Sequence, residues 1–175
     1  MIDYFIDSVS KLFNKKINLE LFEEDFLFDL IKLEFEILNP KYCSMTMDEF
    51  LVFISKNLGL QKIRKQYLKE LSPFFNCTYL IFIENKLVAY TIFFPSEDKQ
   101  NFYIHQISIS CKFQNNGFGK KLIQIIENIA KKEIYNTISL RVEKEKKALL
   151  TYYSKLGFSL KKEEKEYYFM EKKLN

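Results

Sequence analysis

The chain has 175 residues, of which 47% are hydrophobic and 29% are charged. This length and composition predict a single folded domain over 1–175 with an apolar core, and they exclude a disordered protein. The net charge is +4, yet of the 27 basic residues only Arg64 and Arg141 are arginines, which argues against a sequence-specific DNA reader. No segment approaches the ~18 apolar residues of a membrane span. We therefore expect no nucleic-acid partner and no membrane partner.

Three further features limit the possible functions, namely the cysteines, the histidine and the amino terminus. Cys43, Cys77 and Cys111 are widely spaced and form no C-x-x-C pair, so we expect no disulfide, no redox pair and no zinc site. The single histidine, His105, excludes a histidine-rich metal site. The first ten residues contain no basic segment of the kind that begins a signal peptide. These features together predict a cytoplasmic protein without a metal.

The first half of the chain has mostly helical spacing of apolar residues. The pattern predicts a short helix over 4–13, a strand over 17–21, and helices over 23–38, from 46 to about 58, and over 63–71. Asn39-Pro40 ends the second helix, because a residue before proline avoids the α region. Thr46 and Glu49 have the spacing of a capping box, which predicts the start of the third helix.

From residue 77 the pattern changes to strands and then alternates. It predicts a hairpin of strands 77–84 and 87–94 with its turn at Asn85-Lys86, a strand over 102–110, a helix over 122–132, a strand over 137–142, a helix over 148–156 and strands at 158–160 and 167–170. Gly157 is expected to end the last helix. This order predicts a mixed α/β fold, antiparallel in its first half and with a βαβ unit in its second.

The segment 114–120 between a strand and a helix has the properties of an anion-binding loop. Gly117 and Gly119 let the backbone approach a ligand, and the free N–H groups at the start of the next helix point toward it. Lys120 and Lys121 add positive charge. Neither common phosphate-binding pattern, G-x-x-x-x-G-K-[ST] or G-x-G-x-x-G, is present. An ordinary glycine-containing connection therefore stays an alternative.

Together with a second segment, this loop resembles the GNAT superfamily of acetyl-CoA-dependent N-acetyltransferases. Residues 114–119 resemble its Q/R-x-x-G-x-G/A motif, and ALLTYYSKLGF (148–158) resembles its second signature, an aromatic-rich helix ending in Y-x-x-x-G-F. The resemblance extends from about Thr78 to Lys172. It implies a GNAT fold, in which a mixed, mostly antiparallel sheet is splayed at its central strands and flanked by helices.

The resemblance also implies how acetyl-CoA, the cosubstrate, is held. The pantetheine arm pairs with backbone groups at Ile107, Ser108 and Ile109. The pyrophosphate is held by backbone amides of the loop, which comprises Gln114, Asn115, Asn116, Gly117, Phe118, Gly119 and Lys120. Lys146 stands where many members carry an asparagine; it either meets a CoA phosphate or is simply exposed.

For the chemistry, the resemblance implies that Tyr153 is the acid that protonates the leaving CoA thiolate, against the alternative of a core aromatic residue. His105 titrates near neutral pH and, with Tyr103, is the candidate base; a structural histidine is the alternative. Alternation along the strand places Tyr103, His105 and Ile107 on one face. Arg141 occupies the position where some relatives carry a glutamate base, and arginine cannot serve as that base.

The acceptor is predicted from two further segments. Residues 33–50, which include Glu34, resemble the first two helices of N-terminal and arylalkylamine acetyltransferases, which line the acceptor site. Tyr167 and Tyr168 resemble a Tyr-Tyr strand that faces the peptide, or they are ordinary strand aromatics. We expect transfer to a primary amine of a peptide or protein, with a small-molecule amine or amino sugar as one alternative and a catalytically silent CoA-binding module as another. A monomer or homodimer is expected.

Overall fold

In the computed structural model, residues 17–96 and 100–174 are described, and they form one sheet with helices on both faces. The helices are α1 (Leu27–Leu38), α2 (Met47–Asn57), α3 (Leu60–Leu71), α4 (Phe118–Lys132) and α5 (Lys147–Lys155). The strands are β1 (Ile17–Leu21), β2 (Thr78–Ile83), β3 (Lys86–Pro95), β4 (Asn101–Ile109), β5 (Thr137–Glu143), β6 (Ser159–Glu163) and β7 (Tyr167–Lys173). The predicted helix over 4–13 lies outside the described residues.

The sheet has seven strands in the order β1-β2-β3-β4-β5-β7-β6. All neighbouring strands are antiparallel except β4 and β5, which are parallel and are connected through α4. The predicted mixed fold with a βαβ unit in its second half is therefore confirmed. None of the helices in the described part of the chain has the length and apolar character needed to cross a membrane.

The two parallel strands separate part of the way along their length. β4 pairs with β5 only from Asn101 to Ile104, opposite Thr137 to Leu140. Beyond those pairs β4 continues to Ile109 and β5 continues to Glu143, without further pairing between them. The sheet is therefore splayed at its centre, as expected, and the β5-facing edge of β4 is left open over residues 105–109.

Each face of the sheet carries its own apolar core. One face packs against α4, whose buried residues recur at helical spacing and include Leu122, Ile126 and Ile129. The other face packs against α1, α2 and α3, where Phe50 and Ile54 are fully buried. Because burying such a side chain contributes about 1.5–3 kcal/mol, the two cores hold the helices firmly over the splayed strands.

Local signals in the sequence are mostly reproduced, with one turn displaced. The capping box is confirmed: Glu49 N donates to Thr46 Oγ1 at 3.2 Å, and Thr46 N donates to a Glu49 carboxylate oxygen at 2.8 Å. The predicted hairpin turn at Asn85-Lys86 is wrong by one residue. The turn residues are Glu84 and Asn85, with φ of 52° and 61°, because two positive φ values in a two-residue turn match the twist of the flanking strands.

The expectation of a chain without disulfides is also wrong. Cys43 and Cys111 are bonded, although 68 residues separate them in the sequence. Cys43 lies in the 3-10 turn after α1, and Cys111 begins the 3-10 turn after β4. Only the packing of α1 on the sheet brings these turns together, so sequence spacing carried no signal. With this bond, the cysteines no longer support the predicted cytoplasmic location.

This disulfide is expected to stabilise the protein by about 4 kcal/mol, because it closes a long loop in the unfolded chain. Urea unfolding of the oxidised and reduced protein, and of Cys43→Ser, measures the difference. Cys77→Ser is the matched control, since Cys77 is half-buried and is not part of a disulfide. Finding three free thiols in the unfolded, unreduced chain would contradict the prediction.

Candidate active site

The glycine-bearing loop turns sharply before it enters α4. Asn115 has a φ of 60° and Gly117 a φ of 76°, both in the left-handed region that residues other than glycine and asparagine seldom adopt. Gly117 is the N-cap residue of α4, and Lys121 N donates the first intrahelical bond back to Gly117 O at 3.1 Å. The amides that precede Lys121 in the first turn therefore point out of the helix, as an anion-binding loop requires.

Gly119 is needed for a different reason, because other segments of the chain lie close to its Cα atom. A Cβ atom added at Gly119 would lie 3.0 Å from the hydroxyl oxygen of Tyr152 and 3.3 Å from Cδ1 of Ile109. The start of α4 is therefore packed tightly against both α5 and the end of β4. This contact brings Tyr152, which the sequence analysis did not select, to the mouth of the predicted pyrophosphate loop.

The remaining predicted cofactor residues lie around this point. Gln114 Nε2 donates to Ile109 O at 2.8 Å, which ties the loop to the strand end. Lys120 is exposed at the start of α4. Lys146, at the N-cap of α5, is exposed and its Nζ donates to Glu143 at 3.0 Å. The structure thus brings the loop, β4 and Tyr152 together, while Lys146 is engaged in a surface ion pair.

A β-bulge on β4 lies beside the splay and changes which side chains share a face. Phe93 is opposite Ile104 and Ile92 is opposite Gln106, so His105 is the extra residue. The predicted common face of Tyr103, His105 and Ile107 is therefore wrong for Ile107. The ring centroids of Tyr103 and His105 lie 6.2 Å apart, but Ile107 packs into the core on the opposite face of the sheet.

The imidazole of His105 lies between an aromatic ring and a positive charge. Phe74 stacks on it with centroids 4.4 Å apart. Partial burial and then the charge of Arg141 lower the pKa of His105 below its ordinary value. The ring is consequently neutral at physiological pH and able to accept a proton, which is the state that a general base requires.

Arg141 reaches this region from the other side of the splay. It follows the last β5 residue that pairs with β4, and its guanidinium carbon lies 5.8 Å from the centroid of the Tyr103 ring. Two of its nitrogens donate to the carboxylate of Glu164, at 2.8 and 3.2 Å. This two-point contact orients the guanidinium group. Arg141 cannot act as a base, but its charge adds to the effect of burial on the pKa of His105.

Removing the Arg141 charge is expected to raise the pKa of His105 toward about 6.5, the value of a free histidine. Because the chain contains one histidine, NMR titration of the imidazole protons reads this pKa directly. Arg141→Met should move it upward, and the acidic limb of kcat/KM should follow, since protonated His105 cannot accept a proton. Arg141→Lys keeps the charge and is the control. An unchanged pKa in Arg141→Met would contradict the prediction.

Tyr153, the predicted acid, is largely buried on α5. Its ring lies 5.7 Å from that of Phe158 and 5.3 Å from that of Tyr152. Burial, with a smaller contribution from Tyr152, raises the pKa of Tyr153 to about 12. The phenol is therefore protonated throughout the physiological range. At this pKa it is better suited to donate a hydrogen bond to a thiolate than to give up its proton completely.

Glu34 of α1 is the centre of a polar network over β3 and β4. One carboxylate oxygen, Oε1, accepts hydrogen bonds from Ser108 Oγ at 2.9 Å, from Gln106 Nε2 at 3.2 Å, and from the hydroxyl of Tyr90. Burial and then the charge of Glu34 raise the pKa of Tyr90 well above its ordinary value. The network connects the predicted acceptor wall directly to Ser108, on the strand predicted to hold the pantetheine arm.

The predicted Tyr-Tyr strand lies on the opposite side of the splay from Glu34. Tyr167 and Tyr168 belong to β7, which pairs with β5. Tyr167 is 38% exposed, and Lys144 Nζ lies 5.6 Å from the ring centroid of Tyr168. Of the two predicted acceptor segments, only the one with Glu34 is hydrogen-bonded to β4.

Sequence reasoning missed three residues of this region, namely Tyr152, Tyr90 and Gln106. A signal was available for Tyr152, since it neighbours the tyrosine of the second signature. No local signal pointed to Tyr90 or Gln106. Both donate to the carboxylate of Glu34, which is 56 residues from Tyr90 and 72 residues from Gln106 in the chain.

Comparison with known proteins identifies the family and agrees with the fold. The profile of the acetyltransferase (GNAT) family matches residues 42–158. Since that is more than half of the chain, the chain belongs to this family and is an acyltransferase. Among curated proteins, no relative matches the sequence.

Solved structures show the same fold at low sequence identity. PaiA N-acetyltransferase from Thermoplasma acidophilum, in complex with coenzyme A, has a TM-score of 0.61 and 19% identity over 90% of this chain and 98% of its own. Ard1 from Thermoplasma volcanium has a TM-score of 0.57 and 11% identity over 91% of this chain and 98% of its own. A GNAT acetyltransferase from Elizabethkingia anophelis, with acetyl-CoA bound, has a TM-score of 0.54 and 19% identity over 61% and 82%.

Proposed function

We propose that the protein transfers the acetyl group of acetyl-CoA directly to a primary amine at the splay between β4 and β5. The observation that carries the proposal is the combination of an open β4 edge over residues 105–109 with a glycine loop at its end. An open strand edge offers backbone groups to an extended amide-containing arm, and the start of α4 offers amides to an anion.

The residues present fit acetyl-CoA. Gly119 lets the start of α4 lie close to Tyr152 and the end of β4, and the left-handed Gly117 turns the first-turn amides outward. The pantetheine arm would be held by backbone groups of Ile107, Ser108 and Ile109, and the pyrophosphate by amides within 114–120. Lys120 and, on release from Glu143, Lys146 add charge for the phosphates. The cosubstrate supplies the acetyl group as a thioester.

The side chains around the cleft support a direct transfer. The acceptor nitrogen forms the new C–N bond as the C–S bond of the thioester breaks, and the bonding electrons leave on sulfur. His105 takes the proton that the nitrogen loses, with Tyr103 beside it. Tyr153 donates a hydrogen bond to the departing thiolate, which then takes up a proton from solvent. Each of these roles is of a kind that contributes about 10²–10⁴-fold to rate.

The acceptor has two candidate forms. A peptide or protein amine agrees with the resemblance of Tyr167 and Tyr168 to a peptide-facing strand. A small-molecule amine is favoured by a cavity of about 260 Å³ that is lined by Glu34, Tyr90 and His105, because this volume is just below the roughly 300–1,000 Å³ of typical ligand sites and therefore suits a small acceptor.

CoA release by the purified protein tests the proposal. A panel of peptides, arylalkylamines, polyamines and amino sugars is incubated with acetyl-CoA, and free thiol is measured over time. At least one amine should release CoA above the rate without acceptor, with the acetylated product seen by mass spectrometry. Binding of acetyl-CoA without turnover of any amine would instead support a catalytically silent CoA-binding module.

A further inference from the structure

The cavity beside His105 is formed where α3 and the turn after it close over α1 and the sheet. Its wall includes Glu34 from α1, Tyr67 and Glu70 from α3, and Phe74 from the 3-10 turn Ser72–Cys77. His105 forms part of the same wall. A molecule in this cavity therefore lies within reach of the proposed base, among aromatic rings and two carboxylates.

The two carboxylate oxygens of Glu34 differ in their hydrogen bonding. Its Oε1 accepts all three of its hydrogen bonds, whereas no described residue donates to Oε2. No cation in the described part of the chain forms an ion pair with Glu34 or Glu70. A partly buried carboxylate without a counter-ion favours a positively charged ligand, because the charge of the ligand compensates for the solvation that the carboxylate loses on burial.

The charges of both carboxylates reach Tyr67. Burial, and then the charges of Glu34 and Glu70, raise its pKa to about 12, so both carboxylates act on one hydroxyl group. Glu70 is exposed at the rim of the cavity, where Gln66 Nε2 donates to it at 3.1 Å. The rings of Tyr67 and Phe74 add faces that attract cations. Negative charge thus continues from the interior of the cavity to its opening, in a protein of net charge +4.

We propose that this cavity takes a linear diamine or polyamine, whose reacting nitrogen lies beside His105 and whose second, protonated nitrogen is held by Glu34 and Glu70. The inference rests on the proposed acetyl transfer and names its acceptor class. A flexible aliphatic chain with a charge at each end satisfies the size of the cavity, its aromatic walls and its two carboxylates together. An acceptor with one amine leaves the carboxylates uncompensated.

Matched acceptors test this choice. We expect kcat/KM for 1,4-diaminobutane to exceed that for n-butylamine by at least tenfold in the native protein. In Glu70→Gln the ratio of these two values should fall about tenfold, since a charge-assisted contact at this position is lost. Glu133→Gln, at an exposed position after α4 on the far face of the sheet, is the control and should keep the native ratio.

Binding measurements separate this proposal from the acetyl-transfer proposal. Calorimetric titration with 1,4-diaminobutane should show binding that weakens in Glu70→Gln and in Glu34→Gln, while acetyl-CoA still binds each variant. Weakened diamine binding without turnover of any amine would overturn the acetyl transfer but not the cation site. Equal use of mono- and diamine, a preference for peptides, or diamine binding that is indifferent to both substitutions would overturn the diamine proposal.

Discussion

Replacing Tyr153 with phenylalanine is expected to lower kcat about 100-fold while leaving acetyl-CoA binding almost unchanged. The phenol hydroxyl is the proposed donor to the leaving thiolate, and its loss removes an interaction that strengthens only as the C–S bond breaks. The ring of Tyr153 packs against Phe158, and phenylalanine preserves that packing. Steady-state kinetics with a saturating acceptor, together with calorimetry for acetyl-CoA, measure the two quantities separately.

A matched Tyr→Phe control is available at Tyr135, which lies 5.2 Å from Phe102 in the core and away from the cleft. Tyr135→Phe should keep the native kcat. Because the pKa of Tyr153 is raised to about 12, its ionisation should produce no basic limb below about pH 11 in the native pH–rate profile. A Tyr153→Phe variant with native kcat would reject the proposed hydrogen bond from Tyr153 to the thiolate and leave the residue as a core aromatic.

The second large effect is expected at Gly119. In Gly119→Ala, the new methyl group would meet the Tyr152 hydroxyl at 3.0 Å and Ile109 at 3.3 Å. Relieving such overlaps costs about 1–3 kcal/mol, and because 1.4 kcal/mol corresponds to tenfold in affinity, we expect the KM for acetyl-CoA to rise about tenfold or more. The loop and the end of β4 shift together, since both flank the substitution.

A second substitution distinguishes this mechanism from general damage. Tyr152→Phe removes the closest atom, so the double variant Gly119→Ala/Tyr152→Phe should recover most of the lost affinity for acetyl-CoA. Direct calorimetric titration of the three variants gives the coupling between the two positions. Additive effects, with no recovery in the double variant, would mean that the close approach of Tyr152 is not what makes glycine necessary.

The proposed acceptor site explains why the basic composition of the chain was uninformative about its substrate. The net charge of +4 is an average over the surface, whereas recognition depends on the local charge of a cavity. Around His105 that local balance combines Arg141 on one side with Glu34 and Glu70 on the other. Burial and then the charge of Arg141 lower the pKa of the proposed base His105, and the negative side favours a cationic acceptor.

Elements that depend on nearby residues could be predicted from the sequence. The helix over 46–58 follows from its capping box and apolar spacing, and the strand–glycine loop–helix order follows from local periodicity and turn residues. These signals arise within a few residues of one another, so a pattern read along the chain detects them. The splay of the sheet was predicted from the resemblance of two motifs to the GNAT superfamily.

Features that depend on distant residues required the tertiary structure. The Cys43–Cys111 bond, the approach of Tyr152 to Gly119 and the network around Glu34 each join segments tens of residues apart, and no local pattern encodes which segments meet. The bulge at His105 is decided by the register of β3 against β4, which is a property of two packed strands. The sequence alone therefore determined the fold class and the position of the glycine loop proposed to bind the cosubstrate, while packing between distant segments decided the face, charge and neighbours of each catalytic candidate.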